Sequence, residues 1–215
     1  MGFPKTTIFL LFFFLFFIFF GEFFYTQSPF MPNVDAILES PSLQYPLGTD
    51  RLGRDILARM IEGGKTSVII GVGGALIASL IGLIIGISAG FFKGFIDKGI
   101  VVIIDLFLTF PTFFLLLALI AYIDASSLVL IIVISITGWM GMARLIRSES
   151  FAISQKPFIK ILQIASVSKT KIFFKYFLPL LSSIFLISFT FGVGGAILTE
   201  SGLSFLGLGV QSPQI

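Results

Sequence analysis

Two acidic side chains stand where a carboxylate is costly. Asp105 lies about two helical turns into the apolar run 99–123, and Glu200 closes the apolar run 176–199. An ionisable group at membrane depth costs a few kcal/mol or more unless it is paired, so it usually marks a solute or proton pathway. A helix–helix hydrogen bond or an ion pair with an interfacial Lys or Arg is the competing interpretation of Asp105. Pro111 predicts a kink, because proline removes a backbone hydrogen bond. Asp105, Pro111 and Glu200 are therefore the candidates for a pathway or gate.

Other kinds of chemistry are excluded by residue type. The 215-residue chain has no cysteine and no histidine, which excludes disulfides, thiolate nucleophiles, histidine acid–base catalysis and most zinc sites. No nucleophile–base pair or cluster of carboxylate ligands is visible in the sequence. Gly64-Lys65-Thr66 resembles the end of a phosphate-binding loop, but Arg59 stands where that loop needs glycine. We predict a protein that is not an enzyme, binds no metal and holds no cofactor of its own.

Composition indicates an all-α membrane protein. Hydrophobic residues make up 56% of the chain and charged residues 12%, and the mean hydropathy is +1.08; a water-soluble domain carries about twice that charge. A helix needs about 20 apolar residues to cross the hydrocarbon core. The predicted spans are 6–21 (extending to 25), 66–92, 99–123, 125–143 and 176–199. A secretory signal peptide is the alternative for the first span, but only Lys5 precedes it and no A-x-A-like site follows.

Charge asymmetry predicts the direction of these spans. Segments 1–5, 93–98 and 144–175 fall on one side and carry formal charges of +1, +1 and +6, whereas segment 25–65 carries −1. Lys and Arg accumulate on the cytoplasmic side of membrane proteins. We therefore expect a multi-pass protein of the plasma (inner) membrane, with the N-terminus and segment 144–175 in the cytoplasm. The same rule explains the basic pI near 9.3 without a nucleic-acid partner.

Small residues recur every fourth position along the second span. Such a stripe lines one helix face and lets a neighbouring helix approach closely. We interpret it as a packing seam rather than a ligand site. Its members are Gly74, Ala78, Gly82, Gly86 and Gly90.

The segment 26–65 before the second span is predicted to have two parts. Residues 27–46 are rich in Pro, Ser and Asn, which is typical of an irregular loop. From Thr49 onward we expect an amphipathic helix near the outer interface, with Thr49 or Asp50 as the N-cap. Its Asp and Arg side chains are predicted to pair with one another.

The segment 144–175 is too long for a simple turn between helices, which needs about two to eight residues. It holds seven of the fourteen basic residues and one acid, Glu149. A short helix is predicted within it, flanked by Lys156, Lys160 and Lys169. That helix suits a groove in a soluble subunit and equally an anionic lipid surface. Its apolar face consists of Phe158, Ile159, Ile161, Leu162 and Ala165.

Four strings of residues occur in a distinctive order and spacing. The strings are Pro46-Leu47-Gly48-Thr49-Asp50-Arg51-Leu52-Gly53-Arg54-Asp55, Asp105 through Phe110-Pro111, Gly138-Trp139 through Ala143-Arg144 with Arg147, and Glu200-Ser201-Gly202-Leu203-Ser204-Phe205-Leu206-Gly207-Leu208-Gly209. From about residue 46 to residue 213 they resemble one family, the inner-membrane permease subunits of ABC importers for dipeptides, oligopeptides or nickel.

The resemblance implies a type I ABC importer bundle that forms half of a translocation pathway for peptides or a similar small solute. It also implies a sister permease, two cytoplasmic ATPase subunits that bind the ATP, and an external solute-binding protein. The corresponding domains are an N-terminal transmembrane helix at 1–25, an extracytoplasmic loop and helix at 26–65, and a permease domain at 66–215. The coupling loop at 144–175 docks the ATPase in this family, and here residues 158–162 with Ala165 and Ser166 would make that contact.

The chain departs from the family pattern in two places. Lys160-Ile161-Leu162 stands where Glu-Ala-Ala is expected, and Ser166 replaces a glycine, although Leu178-Pro179 is kept. The family pattern also continues after Pro213 into a sixth helix. The sequence therefore leaves an alternative, a truncated, non-transporting paralogue that only binds or regulates partner subunits.

Overall fold

The computed structural model describes residues 4–210, which are mainly helical. Two compact units divide this part of the chain, residues 4–69 and residues 70–210. A short 3₁₀ turn at Val34–Ala36 and a π-helical turn at Phe173–Phe177 accompany the α-helices. These are α1 (Lys5–Phe24), α2 (Ile56–Phe92), α3 (Gly94–Thr109), α4 (Thr112–Ile120), α5 (Ser127–Ser154), α6 (Pro157–Ile164), α7 (Lys169–Ile172) and α8 (Leu178–Phe205).

The described helices account for the predicted spans. Four stretches are long and apolar enough to cross a membrane, namely α1, α2, α5 and the continuous stretch Lys169–Phe205. The pair α3 and α4 makes a fifth if the two count as one broken span, and they are bent by 77°. The bend falls at Phe110, which is extended (φ −88°, ψ 135°), and at Pro111. Proline disfavours helical backbone in the residue before it, so the predicted kink is confirmed as a complete break.

In the first unit, α1 lies against the beginning of α2 through two glycines. A Cβ on Gly21 would lie 3.1 Å from the Ile61 side chain, and one on Gly64 would lie 3.1 Å from that of Ile18. Glu22, the acid that follows the first apolar run, pairs with Lys65 at 3.1 Å. Close backbone approach and this ion pair hold the two helices together.

The prediction of a separate amphipathic helix starting at Thr49 or Asp50 is wrong. Residues 49–55 form turns, and α2 runs unbroken from Ile56 to Phe92. The Asp50 carboxylate accepts hydrogen bonds from the Leu52 and Arg54 backbone N–H groups at 2.8 and 3.0 Å. Gly53 then takes a positive φ of 72°, which ends any helical path.

Asp50 is held as a carboxylate by its surroundings. Its partial burial acts to raise its pKa, but the two backbone donors and Arg54 together lower that pKa below its ordinary value. Arg54 Nη2 lies 2.9 Å and Arg59 Nη1 lies 3.6 Å from Asp50 Oδ2. The predicted Asp–Arg pairing of this segment is therefore present.

Asp55 is the residue that caps α2. Its buried carboxylate accepts a hydrogen bond from the Ala58 N–H at 2.8 Å, which satisfies one of the free donors of the first turn. The Tyr25 hydroxyl donates to the other carboxylate oxygen. Burial first, and then the hydrogen bond to Asp55 and the charge of that carboxylate, raise the pKa of Tyr25. The chain just after α1 is thus fastened to the first residue before α2.

In the second unit, α2 and α5 pack along the stripe of small residues. A Cβ on Gly82 would lie 2.6 Å from Met142 Cβ, and one on Gly86 would lie 2.7 Å from the Ala143 carbonyl oxygen. A Cβ on Gly90 would meet Ser150 Cβ at 2.5 Å. Any larger side chain at these positions would force the helices apart.

The segment 144–175 is mostly helical. α5 continues to Ser154, well past Ala143, and α6 and α7 follow after short turns. A core beneath them joins α2, α5, α6, the π-helical turn and α8 through Ile87, Ile146, Ile159, Phe177 and Leu181. The basic segment is therefore packed against the second unit through this core.

The π-helical turn ends two residues before Pro179. Proline has no N–H to donate to the carbonyl four residues earlier, that of Lys175. A π turn holds one extra residue and relaxes the hydrogen-bond ladder at such a place. It links α7 to α8 without a break in the helical path.

Candidate functional site

A cavity of about 430 Å³ lies between α2, α4, α5 and α8. Its described lining has no charged side chain and consists mainly of glycine, alanine, serine, threonine and a few large apolar residues. The lining residues are Ala75, Ala78, Ser79, Thr112, Leu116, Ile134, Thr137, Gly138, Gly141, Met142, Leu145, Ser188, Phe191, Gly192, Gly195, Ala196 and Thr199.

Two glycines that line this cavity differ from those of the α2 seam. A Cβ built on Gly141 or Gly195 meets no described atom within 4 Å. Close contact between helices is therefore not the reason for glycine at these two positions. The absence of their side chains leaves open space and widens the cavity.

Hydroxyl groups supply the polarity of the wall. Thr137 Oγ1 donates to the Val133 carbonyl and Thr199 Oγ1 to the Gly195 carbonyl, each at 2.8 Å. Each hydroxyl thus satisfies its donor within its own helix, while its oxygen keeps acceptor capacity. A neutral wall of this kind can solvate a polar solute without holding it tightly, which passage through a membrane requires.

The predicted pathway residues lie beside the cavity lining rather than in it. Pro111 immediately precedes Thr112 and sets the direction of α4, which brings Thr112 and Leu116 to the cavity. Glu200 follows Thr199 but is only 4% exposed, and its carboxylate accepts a hydrogen bond from Ser204 Oγ at 2.6 Å.

Asp105 lies on a more open surface. Its side chain is 58% exposed and forms an ion pair with Arg144 of α5. A second ion pair joins the same two helices, between Asp97 of α3 and Arg147 of α5. Arg147 Nη2 lies 2.8 Å from Asp97 Oδ2. The ion-pair interpretation of Asp105 therefore describes its place in the structure, where two such pairs join α3 to α5.

The hydroxyl-bearing residues of the wall were not predicted from the sequence. Ser79 of α2, Thr137 of α5 and Ser188 and Thr199 of α8 all line the cavity. Their signal was the presence of polar side chains inside apolar spans, but hydroxyls satisfied by their own helix are common in any membrane helix. Only the packing of four helices brings them to one space.

The predicted coupling residues are divided between two faces of α6. Ile159 is fully buried in the core beneath the helix, and Leu162 packs against the same core. Phe158, Lys160, Ala165 and Ser166 are exposed, and Ile161 is 64% exposed. Ile164, which was not among the predicted residues, is 84% exposed and extends the outer apolar surface.

Ser166 takes a left-handed backbone conformation directly after α6, with φ 57°. Its N–H donates to the Gln163 carbonyl at 3.1 Å, and the next N–H, of Val167, donates to the Leu162 carbonyl at 3.0 Å. This is the usual way to end a helix, and glycine is the usual residue there. The position where serine stands in place of the family's glycine is therefore a true helix terminus.

These features, membrane-length helices around an uncharged cavity with an amphipathic helix, α6, beyond them, are those of a multi-span membrane transport component. A model of the family described as binding-protein-dependent transport system inner membrane component matches residues 82–215. The chain belongs to this family.

Curated relatives agree with that assignment. The oligopeptide transport system permease protein OppC of Mycobacterium tuberculosis is 32% identical over 199 residues, covering 89% of this chain and 68% of the relative. The dipeptide transport system permease protein DppC of Bacillus subtilis is 35% identical over 173 residues, covering 80% of this chain and 54% of the relative. The nickel transport system permease protein NikC of Escherichia coli is 32% identical over 176 residues, covering 82% and 64%.

Proposed function

We propose that this chain is the permease subunit of an ABC importer and forms half of a translocation pathway for peptides or a similar small solute. The uncharged cavity between α2, α4, α5 and α8 carries this proposal, since its hydroxyls suit the amide groups of a peptide. A divalent cation such as nickel prefers imidazole or carboxylate ligands. The chain has no histidine, and the described cavity wall has no carboxylate, so a peptide is the better match.

The proposed partners are a sister permease, two cytoplasmic ATPase subunits that bind and hydrolyse ATP, and an external solute-binding protein. The exposed face of α6, with Phe158, Ile161 and Ile164, is the proposed contact for an ATPase. Its support is geometric, because Ile159 anchors the helix to the core while these apolar side chains face outward. ATP-driven movement of the ATPases would reach the spans through this anchor and switch access to the cavity.

The proposed location is the plasma (inner) membrane, with the N-terminus and α6 in the cytoplasm. The charge asymmetry of the sequence supports this orientation. The proposed pathway direction, from the solute-binding protein outside to the cytoplasm, depends on it.

The test of the pathway is ATP-dependent peptide uptake into proteoliposomes that contain the chain with its sister permease and ATPases. Gly195→Leu places a large side chain in the open cavity and should reduce uptake at least tenfold. Gly194→Leu is the matched control, because a Cβ on Gly194 also meets no described atom within 4 Å but this residue does not line the cavity.

Both variants must assemble with their partners, as judged by gel filtration of the complex, before uptake is compared. Equal uptake by the Gly195→Leu and unmodified complexes would show that solute passes elsewhere. Uptake that continues without ATP and follows a proton gradient would contradict the importer proposal as a whole.

A further inference from the structure

A second, smaller cavity opens between α2, α3 and α5. Its volume is about 170 Å³, and its walls are Ile84, Ile85, Ser88, Ile100, Ile103 and Trp139. The only hydroxyl in this wall, that of Ser88, donates to the Ile84 carbonyl at 2.7 Å. The cleft is thus apolar, and it is smaller than the roughly 300–1,000 Å³ of pockets that bind drug-sized molecules. Its size and lining suit a slender hydrocarbon chain.

Two lysines lie near the end of the cleft where α2 passes into α3. Lys93 is the single residue between these two helices, and Phe92 lies one helical turn beyond Ser88 on the same face of α2. The Lys93 Nζ lies 4.9 Å from the centre of the Phe151 ring, and the Lys169 Nζ lies 5.6 Å from the centre of the Phe92 ring. Lys169, at the beginning of α7, therefore lies over a ring at the end of α2, and Lys93 lies over a ring of α5. Such polar groups beside aromatic rings are typical of the membrane–water interface.

The acidic residues near Lys93 in the sequence do not neutralise it, so this end of the cleft is positively charged. Asp97 is paired with Arg147 and Asp105 with Arg144. Glu149 is two residues from Phe151, so it points away from the face of α5 that meets Lys93. No Asp or Glu occurs from residue 150 to residue 199. The described structure contains no ion pair for Lys93 or Lys169.

The backbone at Lys93 is strained. Its φ of 56° and ψ of −164° fall in a region that essentially only glycine adopts, and Gly94 follows with φ 60°. Glycine at position 93 would relieve the strain, and lysine supplies no cap hydrogen bond there. A charged residue in such a conformation often serves a function that the strain accompanies.

We propose that this cleft is a binding site for an anionic phospholipid. One acyl chain lies between α2 and α3 against Trp139, and the phosphate meets Lys93 and Lys169. Basic pockets between membrane helices bind anionic headgroups in this way, and a zwitterionic lipid gains no net charge attraction. The site is separate from the 430 Å³ cavity and does not depend on the proposed function.

Trp139 allows a direct test, because it is the only tryptophan in the chain and lines the cleft. The full chain is placed in nanodiscs of neutral lipid and titrated with phosphatidylglycerol or phosphatidylcholine brominated on the acyl chain. We expect phosphatidylglycerol to quench Trp139 fluorescence at a concentration about 25-fold lower than phosphatidylcholine does, because each lysine contributes about 1 kcal/mol. Replacing Lys93 and Lys169 by Gln should lose about fivefold of that preference for each lysine removed.

Three further variants separate the parts of the site. Lys93→Gly should raise the thermal stability in neutral lipid yet lose the preference for phosphatidylglycerol, which a merely structural lysine would not do. Ser88→Leu fills the cleft and should weaken quenching by both lipids. Lys171→Gln is the matched control, because Lys171 lies two residues from Lys169 on another face of α7, and it should leave the preference unchanged.

Two results would overturn the proposal. Equal quenching by both brominated lipids in the unmodified chain would mean that Trp139 meets only the general lipid surroundings. A preference for phosphatidylglycerol that survives the Lys93→Gln and Lys169→Gln double change would place the anionic lipid elsewhere.

Discussion

Ser166 holds a backbone conformation that costs an L-residue about 1–2 kcal/mol. Its φ of 57° comes at the end of α6, where glycine has no such cost. Ser166→Gly should therefore stabilise the cytoplasmic part of the second unit by about 1 kcal/mol. Thermal unfolding in detergent, followed by circular dichroism, measures the change.

Ser168 provides the control for that substitution. It is the N-cap of α7 with an ordinary φ of −57°, and its side chain accepts a hydrogen bond from the Lys171 N–H. Ser168→Gly relieves no strain and loses this bond, so it should lower the unfolding temperature slightly. If both serine variants shift the unfolding temperature in the same direction, strain at Ser166 is not the cause.

Gly86 should be intolerant of even one added methyl group. An Ala Cβ there would lie 2.7 Å from the Ala143 carbonyl oxygen and 2.8 Å from Ile146 Cβ. Overpacking of this kind costs about 1–3 kcal/mol, so Gly86→Ala should lower the unfolding temperature. Gly194→Ala, with no described atom within 4 Å of the new Cβ, should be neutral or stabilising in the same measurement, because alanine favours the helix.

At the scale of the element, α6 combines an anchor with an outward face. Ile159→Ala removes a fully buried side chain and should destabilise the second unit by about 2–5 kcal/mol. Ile161 lies on the exposed face. Ile161→Glu should therefore change the unfolding temperature by no more than about a degree or two, but it should abolish co-purification with the ATPase. An Ile161→Glu chain that still retains its ATPase would move the proposed contact away from α6.

The positions of the spans were predictable, whereas their ends were not. Long apolar runs fix where a helix crosses lipid, and Pro111 alone indicates the break between α3 and α4. The amphipathic helix was predicted to start at Thr49 or Asp50, because both are good N-cap residues by type, but the chain becomes helical only at Ile56, within α2. Only the turn built by Asp50 and the positive φ of Gly53 reveal that the helix begins after Asp55.

The candidate site was predicted less well than the fold. The sequence directs attention to Asp105 and Glu200, because charges in apolar runs are conspicuous. The cavity wall instead consists of glycines and hydroxyls that sequence cannot assign. Gly86 and Gly195 are both glycines within apolar stretches of sequence, yet in the structure Gly86 is in tight contact with α5 and Gly195 faces open space. That difference exists only after four helices have packed.

At the scale of the whole molecule, orientation in the membrane is the property on which the proposed function depends. The chain has no cysteine, so single engineered cysteines report their own accessibility. Lys160→Cys on exposed α6 should react with a membrane-impermeant maleimide only after the cells are opened. The charge difference between the two sides of the membrane is the physical reason.

Leu43→Cys is the opposite-side control, because Leu43 is fully exposed in the segment between α1 and α2. It should react in intact cells. Labelling of Lys160→Cys from outside would invert the proposed topology and remove α6 from the reach of any ATP-dependent partner.

The π-helical turn at Phe173–Phe177 contains one extra residue that fixes the rotation of α6 and α7 relative to α8. A π turn contains one residue more than an α turn, so deleting Phe174, which is exposed, should convert the turn into ordinary helix. The short helices α6 and α7 would then be turned by about 100° relative to α8, which moves Ile159 out of its core. We expect that deletion to uncouple ATP hydrolysis from uptake while the spans remain folded, and paired ATPase and uptake assays would measure it.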